Sequence, residues 1–493
     1  MKKLNIENLM EVSGVKFGTS GARGLATAMT DEVCYAYTLA FLTHLENSNN
    51  IKEGSEVAIA GDLRPSSPRI CAAVVKAVED KGYLAVYSGE IASPAVAYYG
   101  FSKTIPSVMV TGSHIPDDRN GIKYNTPLGE ILKEDEQGIR AQEVTIPENV
   151  FDDEGFFIET RELATICEKA EEIYIKRYTN FFAPDTLAGL RLGVYEHSCV
   201  GRDTLKSIYQ QLGAEVVGLG RSEKFIPVDT EAIRPEDVAL AAQWAQESHF
   251  DAILSADGDC DRPLISDEKG QWLRGDVAGI LCAQFLNADA VATPVSCNSA
   301  VELCESFSVV KRTRIGSPYV IASMKEASAS GSQMVVGYEA NGGFLTNSDF
   351  KQGAKVLEAL PTRDAAILHI ALLVDAKKQG IKLSELVATL PARYTISDRL
   401  KEFPTERSQE KLKSFTSEGG ESRIEELFAQ LSGSLASIDQ TDGVRMTFDN
   451  KEVIHLRPSG NAPELRCYNE ADSEARAIEL NRACIEIMEN WRA

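Results

Sequence analysis

Three aspartates, Asp257, Asp259 and Asp261, stand at alternate positions in the run DGDCDR. In a turning loop this spacing aims three carboxylates at one point. They repel one another unless a cation joins them, and an all-oxygen donor set suits Mg²⁺ or Ca²⁺. An EF-hand is the sharp alternative, because Glu268 falls at the twelfth position counted from Asp257. Two features oppose it. The sixth position is Arg262, where that loop needs glycine, and the preceding FDAILSA reads as a strand. A solvated acidic turn is the plainest alternative, but Arg262 beside the carboxylates suits an anion-handling site better.

A second group lies in MVTGSHIPDDRNGIKYN, Met109 to Asn125. Ser113 and His114 suggest a hydrolase, yet a nucleophile elbow needs Gly-x-Ser-x-Gly, and here Gly112, His114, Ile115 and Pro116 surround the serine. Adjacent residues also seldom point at each other well enough for a serine–histidine pair. A serine that carries a phosphoryl group fits better, since it needs a nearby cation and basic groups. Lys123 follows ten residues later and can return to the same place on a strand.

The third group is RPSGNAPELR. Arg457 and Arg466 are fork donors suited to phosphate. Ser459 offers a hydroxyl, Asn461 an amide, and Gly460 lets the backbone turn its N–H groups inward as an anion nest. Taken alone, Pro-Ser-Gly is also ordinary turn chemistry.

The elements that must hold these loops follow one layout, three times. An apolar β-rich run leads into a polar loop, then a helical pattern, then another run, as in EVAIAGD, SPRICAAVVKAVEDKG, YLAVYSG and IPSVMVTG. Such alternation argues parallel-rich sheets with helical crossovers. We therefore expect an α/β protein, with three consecutive α/β domains of similar layout (mixed, parallel-rich sheets) and a smaller C-terminal α+β domain. The expected domains are 1–165, 166–271, 272–390 and 391–493, with an acidic, irregular seam at Glu134–Thr165 and a helix over 166–182. Ligands of such sheets bind at the carboxyl ends of strands. There the domains place, in order, VTGSHIP, SADGDCDR, GYEANGG and IHLRPSGNAPELR. That is the layout of one central cleft built from four domains.

Composition bounds the partners. The 493 residues exceed what one core supports. A net charge of −22 argues against nucleic acid, which requires a basic face. Ten scattered cysteines without a Cys-x-x-Cys pair suggest reduced thiols. The strongest apolar stretch, Ala365–Val374, is too short to span a bilayer, and the N-terminus lacks a signal-length apolar core. The expectation is a cytoplasmic protein with no membrane partner.

Taken in order, these loops resemble those of the α-D-phosphohexomutases, which include phosphoglucomutases, phosphomannomutases and phosphoglucosamine mutases. TGSHIPDDRNGIK is similar to the family's phosphoserine loop, DGDCDR to its metal loop Asp-Gly-Asp-Gly-Asp-Arg, and RPSGNAPELR to its phosphate loop. GYEANGG sits where the sugar-reading loop belongs, and VKFGTSGARG resembles the family's entrance motif. The resemblance implies a phosphoryl group shuttled between C1 and C6 of a hexose phosphate, through phospho-Ser113 and a hexose 1,6-bisphosphate. It implies Mg²⁺ on Asp257, Asp259, Asp261 and a phosphate oxygen of Ser113. Arg23, His114, Lys123 and Arg262 would serve charge stabilisation and proton transfer. Glu339 and Asn341 would hold sugar hydroxyls, and Arg457, Ser459, Gly460, Asn461 and Arg466 the substrate phosphate. The expected substrates are mannose or glucose phosphates. Phosphoglucosamine or phospho-N-acetylglucosamine mutase is the alternative, and a sugar-phosphate phosphatase or a non-catalytic sensor the more remote ones. Two departures stand out. Some members carry histidine where Gly343 stands, and Ser296 takes the place of a phosphate-contacting lysine, which Arg312 or Arg314 would replace.

Overall fold

The strand Ser107–Val110 is buried along its whole length, as a strand covered on both faces must be. It is parallel to Glu56–Gly61, which is parallel to Leu84–Glu90. On its other side it meets Arg119–Thr126 antiparallel, and that strand meets Gly21–Leu25 antiparallel. The sheet is therefore mixed, and its turn from Val110 to Arg119 carries Ser113. The helices Asp31–Asn47 and Ser67–Asp80 supply one apolar cover, with Phe41, Leu42, Val74 and Val78 in the same core as Val108 and Val110. Thr30 caps the first of these helices by accepting the Val33 N–H.

This computed structural model describes residues 2–18, 21–163, 165–459 and 463–492. It divides into two compact units, Met1–Ala288 with Gln333–Leu386, and Asp289–Ser332 with Val387–Ala493.

The first unit contains a second sheet. Glu215–Leu219, Arg191–Tyr195 and Ala252–Ala256 are parallel, and Pro263–Ser266 closes it antiparallel. The run DGDCDR is the connection between those last two strands. Val335–Tyr338 and Phe344–Thr346 form an antiparallel hairpin whose turn carries Glu339 and Asn341. The helix Ala365–Gln379 is buried on nearly every side and starts at Asp364, which accepts the Ala366 N–H. That burial explains its continuous apolar run.

The second unit holds the parallel pair Ala290–Pro294 and Val309–Thr313. It also holds a five-stranded antiparallel sheet in the order Tyr394–Leu400, Leu465–Ala471, Val453–Pro458, Val444–Phe448, Leu435–Asp439. Helices Thr405–Thr416, Gly420–Ser432 and Glu474–Glu489 cover it through Leu412, Phe415, Ile424, Phe428, Leu480 and Cys484.

Two expectations change. The stretch Glu134–Thr165 is not simply irregular, for it contains most of the helix Lys133–Arg140 and the strand Glu143–Ile146, paired with Lys2–Asn5. Among its apolar residues, Ile139, Val144 and Ile146 are buried. The helix expected over 166–182 runs Lys169–Phe181.

Candidate active site

The three aspartates converge. Asp257, Asp259 and Asp261 each offer a carboxylate oxygen, all within 4.8 Å of one another, and all three are buried. Lys123, on Arg119–Thr126, places Nζ 2.6 Å from Oδ2 of both Asp259 and Asp261. Oδ1 of Asp259 and Oδ1 of Asp261 stay buried without a hydrogen-bond partner. The lysine thus holds one oxygen of each carboxylate and leaves the other, which is the donor set a hard cation takes. These residues fit a divalent metal.

Ser113 meets the same loop. Its Oγ donates to Asp257 Oδ2 at 2.5 Å, and lies 3.4 Å from His114 Nδ1. The second contact is long for a hydrogen bond, so no Ser–His–acid triad forms. Ser113 adopts φ 58 and Cys260 φ 64. Both sit in the left-handed region, which costs a non-glycine residue on the order of 1–3 kcal/mol. The strain is held by packing between the two loops. A Cβ on Gly258 would lie 2.6 Å from the Ser113 carbonyl oxygen, so only glycine permits this approach.

Electrostatics separate the carboxylates. Burial, with Asp259 and Asp261 beside it, pushes Asp257 up to about 8. Burial acts on Asp261 too, but Lys123, Arg363 and Arg262 overcome it and hold that carboxyl below its usual range. Burial and Arg262 bring His114 down to about 3, so the ring is neutral. Arg262 Nη1 donates to His114 Nδ1 at 2.9 Å, which leaves the ring proton on Nε2. Arg23, on Gly21–Leu25, is lowered to about 10 by burial and by the neighbouring Arg262.

The second unit carries a cleft of about 810 Å³ lined by Arg314, Asp442, Arg457 and Ser459, with Pro404, Thr405 and Pro463. Arg457 pairs with Asp442 at 2.9 Å and is partly buried. Arg466 stands opposite Arg457 across the strand ladder and 3.7 Å from Glu464. Gly460 and Asn461 lie outside the described residues. Of the two candidate replacement charges, Arg312 is engaged by Glu302 and by the carbonyls of Pro294 and Cys297. Arg314 is the one in the cleft.

Family models named phosphoglucomutase/phosphomannomutase match in sequence order: domain I over 14–149, domain II over 172–270, domain III over 274–394 and the C-terminal domain over 408–486. The chain belongs to the phosphoglucomutase/phosphomannomutase family. It is 47% identical over 483 residues to a phosphomannomutase of Salmonella muenchen, covering 97% of this chain and 96% of that protein. A phosphomannomutase of Sinorhizobium fredii is 44% identical, covering 95% and 97%. A phosphoglucosamine mutase of Clostridium acetobutylicum is more distant, at 26% over 97% and 99%. In fold, a putative phosphomannomutase from Thermus thermophilus superposes with a TM-score of 0.73 at 20% identity, covering 96% and 99%. Three α/β/α domains and a C-terminal domain are thus the family architecture, as the sequence layout implied. A phosphoglucomutase/phosphomannomutase is a phosphohexose mutase, an isomerase acting by phosphoryl transfer. Among the described residues no helix is long and apolar enough to cross a membrane.

The EF-hand alternative fails in this family member. Glu268 accepts from the N–H of Ser384 at 3.2 Å and from its Oγ at 2.6 Å, and strands flank the loop. Sequence reasoning missed three supports. Arg64, wholly buried, pairs with Asp62, donates to the carbonyls of Ser113 (2.8 Å) and Ile115 (2.5 Å), and lies 4.0 Å over the Phe225 ring. Thr230 donates to the Asn341 carbonyl at 2.6 Å. Arg363 bridges Glu339 and Asp261. The run GDLRPSSP carried a faint signal for the first, since a buried Asp and Arg two apart before a helix need mutual pairing. Nothing local marks Thr230 or Arg363.

Proposed function

We propose that this enzyme interconverts mannose 1-phosphate and mannose 6-phosphate, with glucose phosphates as secondary substrates. The observation that carries it is the 44–47% identity to phosphomannomutases over nearly the whole chain, against 26% to a phosphoglucosamine mutase.

Ser113 is the phosphoryl carrier. Its hydroxyl donates to Asp257 Oδ2 at 2.5 Å, which holds the serine oxygen against the three aspartates. Mg²⁺ bound to Asp257, Asp259 and Asp261 would supply Lewis-acid stabilisation of the phosphoryl oxygens. Lys123 and Arg262 offset charge around the transferring group, and Arg64 holds the serine loop by its carbonyls. Neutral His114 orients Arg262 and Ser113, and Arg23 adds a further charge. Glu339 and Asn341 bind sugar hydroxyls. Arg457, Ser459, Gly460, Asn461 and Arg466, joined by Arg314, bind the phosphate that is not being transferred. A hexose 1,6-bisphosphate is the intermediate and the primer of the phosphoserine form. The four domains 1–165, 166–271, 272–390 and 391–493 each contribute one of these loops. Ten cysteines outside any disulfide support a reducing compartment, the cytoplasm.

The test is turnover with mannose 1-phosphate, glucose 1-phosphate and glucosamine 1-phosphate, each with Mg²⁺ and a hexose 1,6-bisphosphate. Preference for the glucosamine compound would replace this substrate with the amino sugar. Release of free phosphate would make the enzyme a phosphatase.

A further inference from the structure

Gly343 leaves a space, and Arg363 fills it. A Cβ on Gly343 would lie 2.4 Å from Arg363 Cδ, 2.9 Å from Cγ and 3.1 Å from Nε. The arginine stem therefore occupies the volume that a side chain at Gly343 would take. From there its guanidinium reaches two loops. Nε donates to Glu339 Oε2 at 2.7 Å, and Nη1 lies 3.4 Å from Asp261 Oδ2. Arg363, Glu339 and Asp261 are all buried, at 2%, 4% and 2% exposure. None of the three can re-pair with water, so each holds the others in place.

The anchor behind this arginine is rigid. Asp364, the next residue, caps the helix Ala365–Gln379 and accepts from the hydroxyls of Tyr174, at 2.6 Å, and Tyr178. On the other side, Asn341 Oδ1 accepts the Gly343 N–H at 2.9 Å, which ties the sugar-reading turn to the same spot. The guanidinium is planar and forked, so a change at one carboxylate is felt at the other.

We propose that Arg363 is a positioning residue that couples the sugar-reading loop to the metal loop, so that a divalent cation and a sugar phosphate bind cooperatively. The inference rests on the mutase reading of those two loops. Asp261 Oδ1 accepts no hydrogen bond, and a cation that held this carboxylate would leave Oδ2 as a fixed partner for Arg363. That fixes the orientation of Glu339 before the sugar arrives, and the sugar then orders less on binding. By linkage the sugar tightens the cation by the same factor.

The experiment measures Mg²⁺ affinity by melting temperature, with and without saturating mannose 1-phosphate, in a Ser113→Ala background that blocks turnover. The parent is expected to bind Mg²⁺ about fivefold or more tightly when sugar phosphate is present, the lower range of typical coupling. Arg363→Met should bring that factor close to one, and Arg363→Lys should restore part of it. Gly343→Ala keeps the charge but displaces the arginine stem, so it should also lower the factor. It carries the test if Arg363→Met does not fold. An undiminished factor in the folded Arg363 and Gly343 variants, or none in the parent, overturns the proposal. Wild-type turnover is measured alongside. Coupling without turnover removes the mutase reading alone, and turnover with undiminished coupling in the variants removes this inference alone.

Discussion

Ser113 and Asp257 touch: the serine hydroxyl donates to Oδ2 of the aspartate at 2.5 Å, with both side chains buried. The proposed phosphoryl carrier and a carboxylate of the proposed metal loop, 144 residues apart in the chain, thus share one hydrogen bond. Ser113→Ala removes the carrier. Intact mass spectrometry is expected to show a fraction of the wild type heavier by one phosphoryl group, and none of the variant. Turnover should fall by orders of magnitude while the melting temperature changes little. Mutase activity near the wild-type level in Ser113→Ala would sink the mechanism.

The metal loop predicts an uncoupling of stability from activity. Asp259→Asn removes one proposed ligand and the charge of one of the two carboxylates paired with Lys123. In metal-free buffer the variant should still fold, because Lys123 keeps Asp261 as a partner at 2.6 Å while the crowding of carboxylates falls. Wild type should gain stability with Mg²⁺ as RT ln(1+[Mg²⁺]/Kd), and Asp259→Asn should not. Glu268→Gln should keep the full Mg²⁺ response, since Glu268 is engaged by Ser384. Melting series in Mg²⁺, Ca²⁺ and chelator settle the matter. A response lost in Glu268→Gln but kept in Asp259→Asn would overturn the assignment.

Arg457→Ala tests the cleft of the second unit. A charge-assisted hydrogen bond is worth roughly 1.5–3 kcal/mol, which corresponds to a rise in KM for the sugar phosphate of about tenfold to a hundredfold. Asp442 keeps a partner in the Ile315 N–H at 3.0 Å, so the fold should survive. Steady-state kinetics showing an unchanged KM would mean that the Arg457–Asp442 pair is only structural.

Buried histidines set the acid limit of stability. Burial lowers His197 and His455 to about 4 and His369 to about 3. The Nε2–H of His197 is committed to the Ala256 carbonyl at 2.8 Å, and that of His455 to the Asp442 carbonyl at 2.7 Å. As pH falls below the ordinary histidine value of about 6.5, the unfolded chain takes up protons that the folded chain refuses. Stability contributed by these groups is therefore full above pH 6.5 and is lost toward pH 4. Proton uptake on unfolding should approach about three near pH 5 from these residues. A melting temperature flat across this window would contradict the neutral assignment.

The sequence made the chemistry legible where residue type and spacing are local. The alternate aspartates, the serine in a turn after an apolar strand and the Arg-Pro-Ser-Gly turn each announce themselves. It also exposed the α/β rhythm, because buried strands such as Ser107–Val110 read as apolar runs bounded by glycine and turn residues. What it hid depends on long-range packing. Arg363 lies 102 positions from Asp261 and 24 from Glu339, and nothing in PTRDA distinguishes it from a surface arginine. Arg64 became a brace only because the turn at Ser113 presents two carbonyls to it. The seam at Glu134–Thr165 misled for the opposite reason. Its charge density masked Val144 and Ile146, an alternating pair sufficient for a short strand.

The central claim is phosphoryl exchange between two positions of one mannose phosphate. Phosphorus NMR of mannose 1-phosphate with wild-type enzyme, Mg²⁺ and a trace of hexose 1,6-bisphosphate follows it directly. The account predicts that the mannose 6-phosphate signal grows as mannose 1-phosphate declines, with no inorganic phosphate, and that chelator stops it. Accumulation of inorganic phosphate, or no change in mannose 1-phosphate while the enzyme is folded and Mg²⁺-bound, would contradict it.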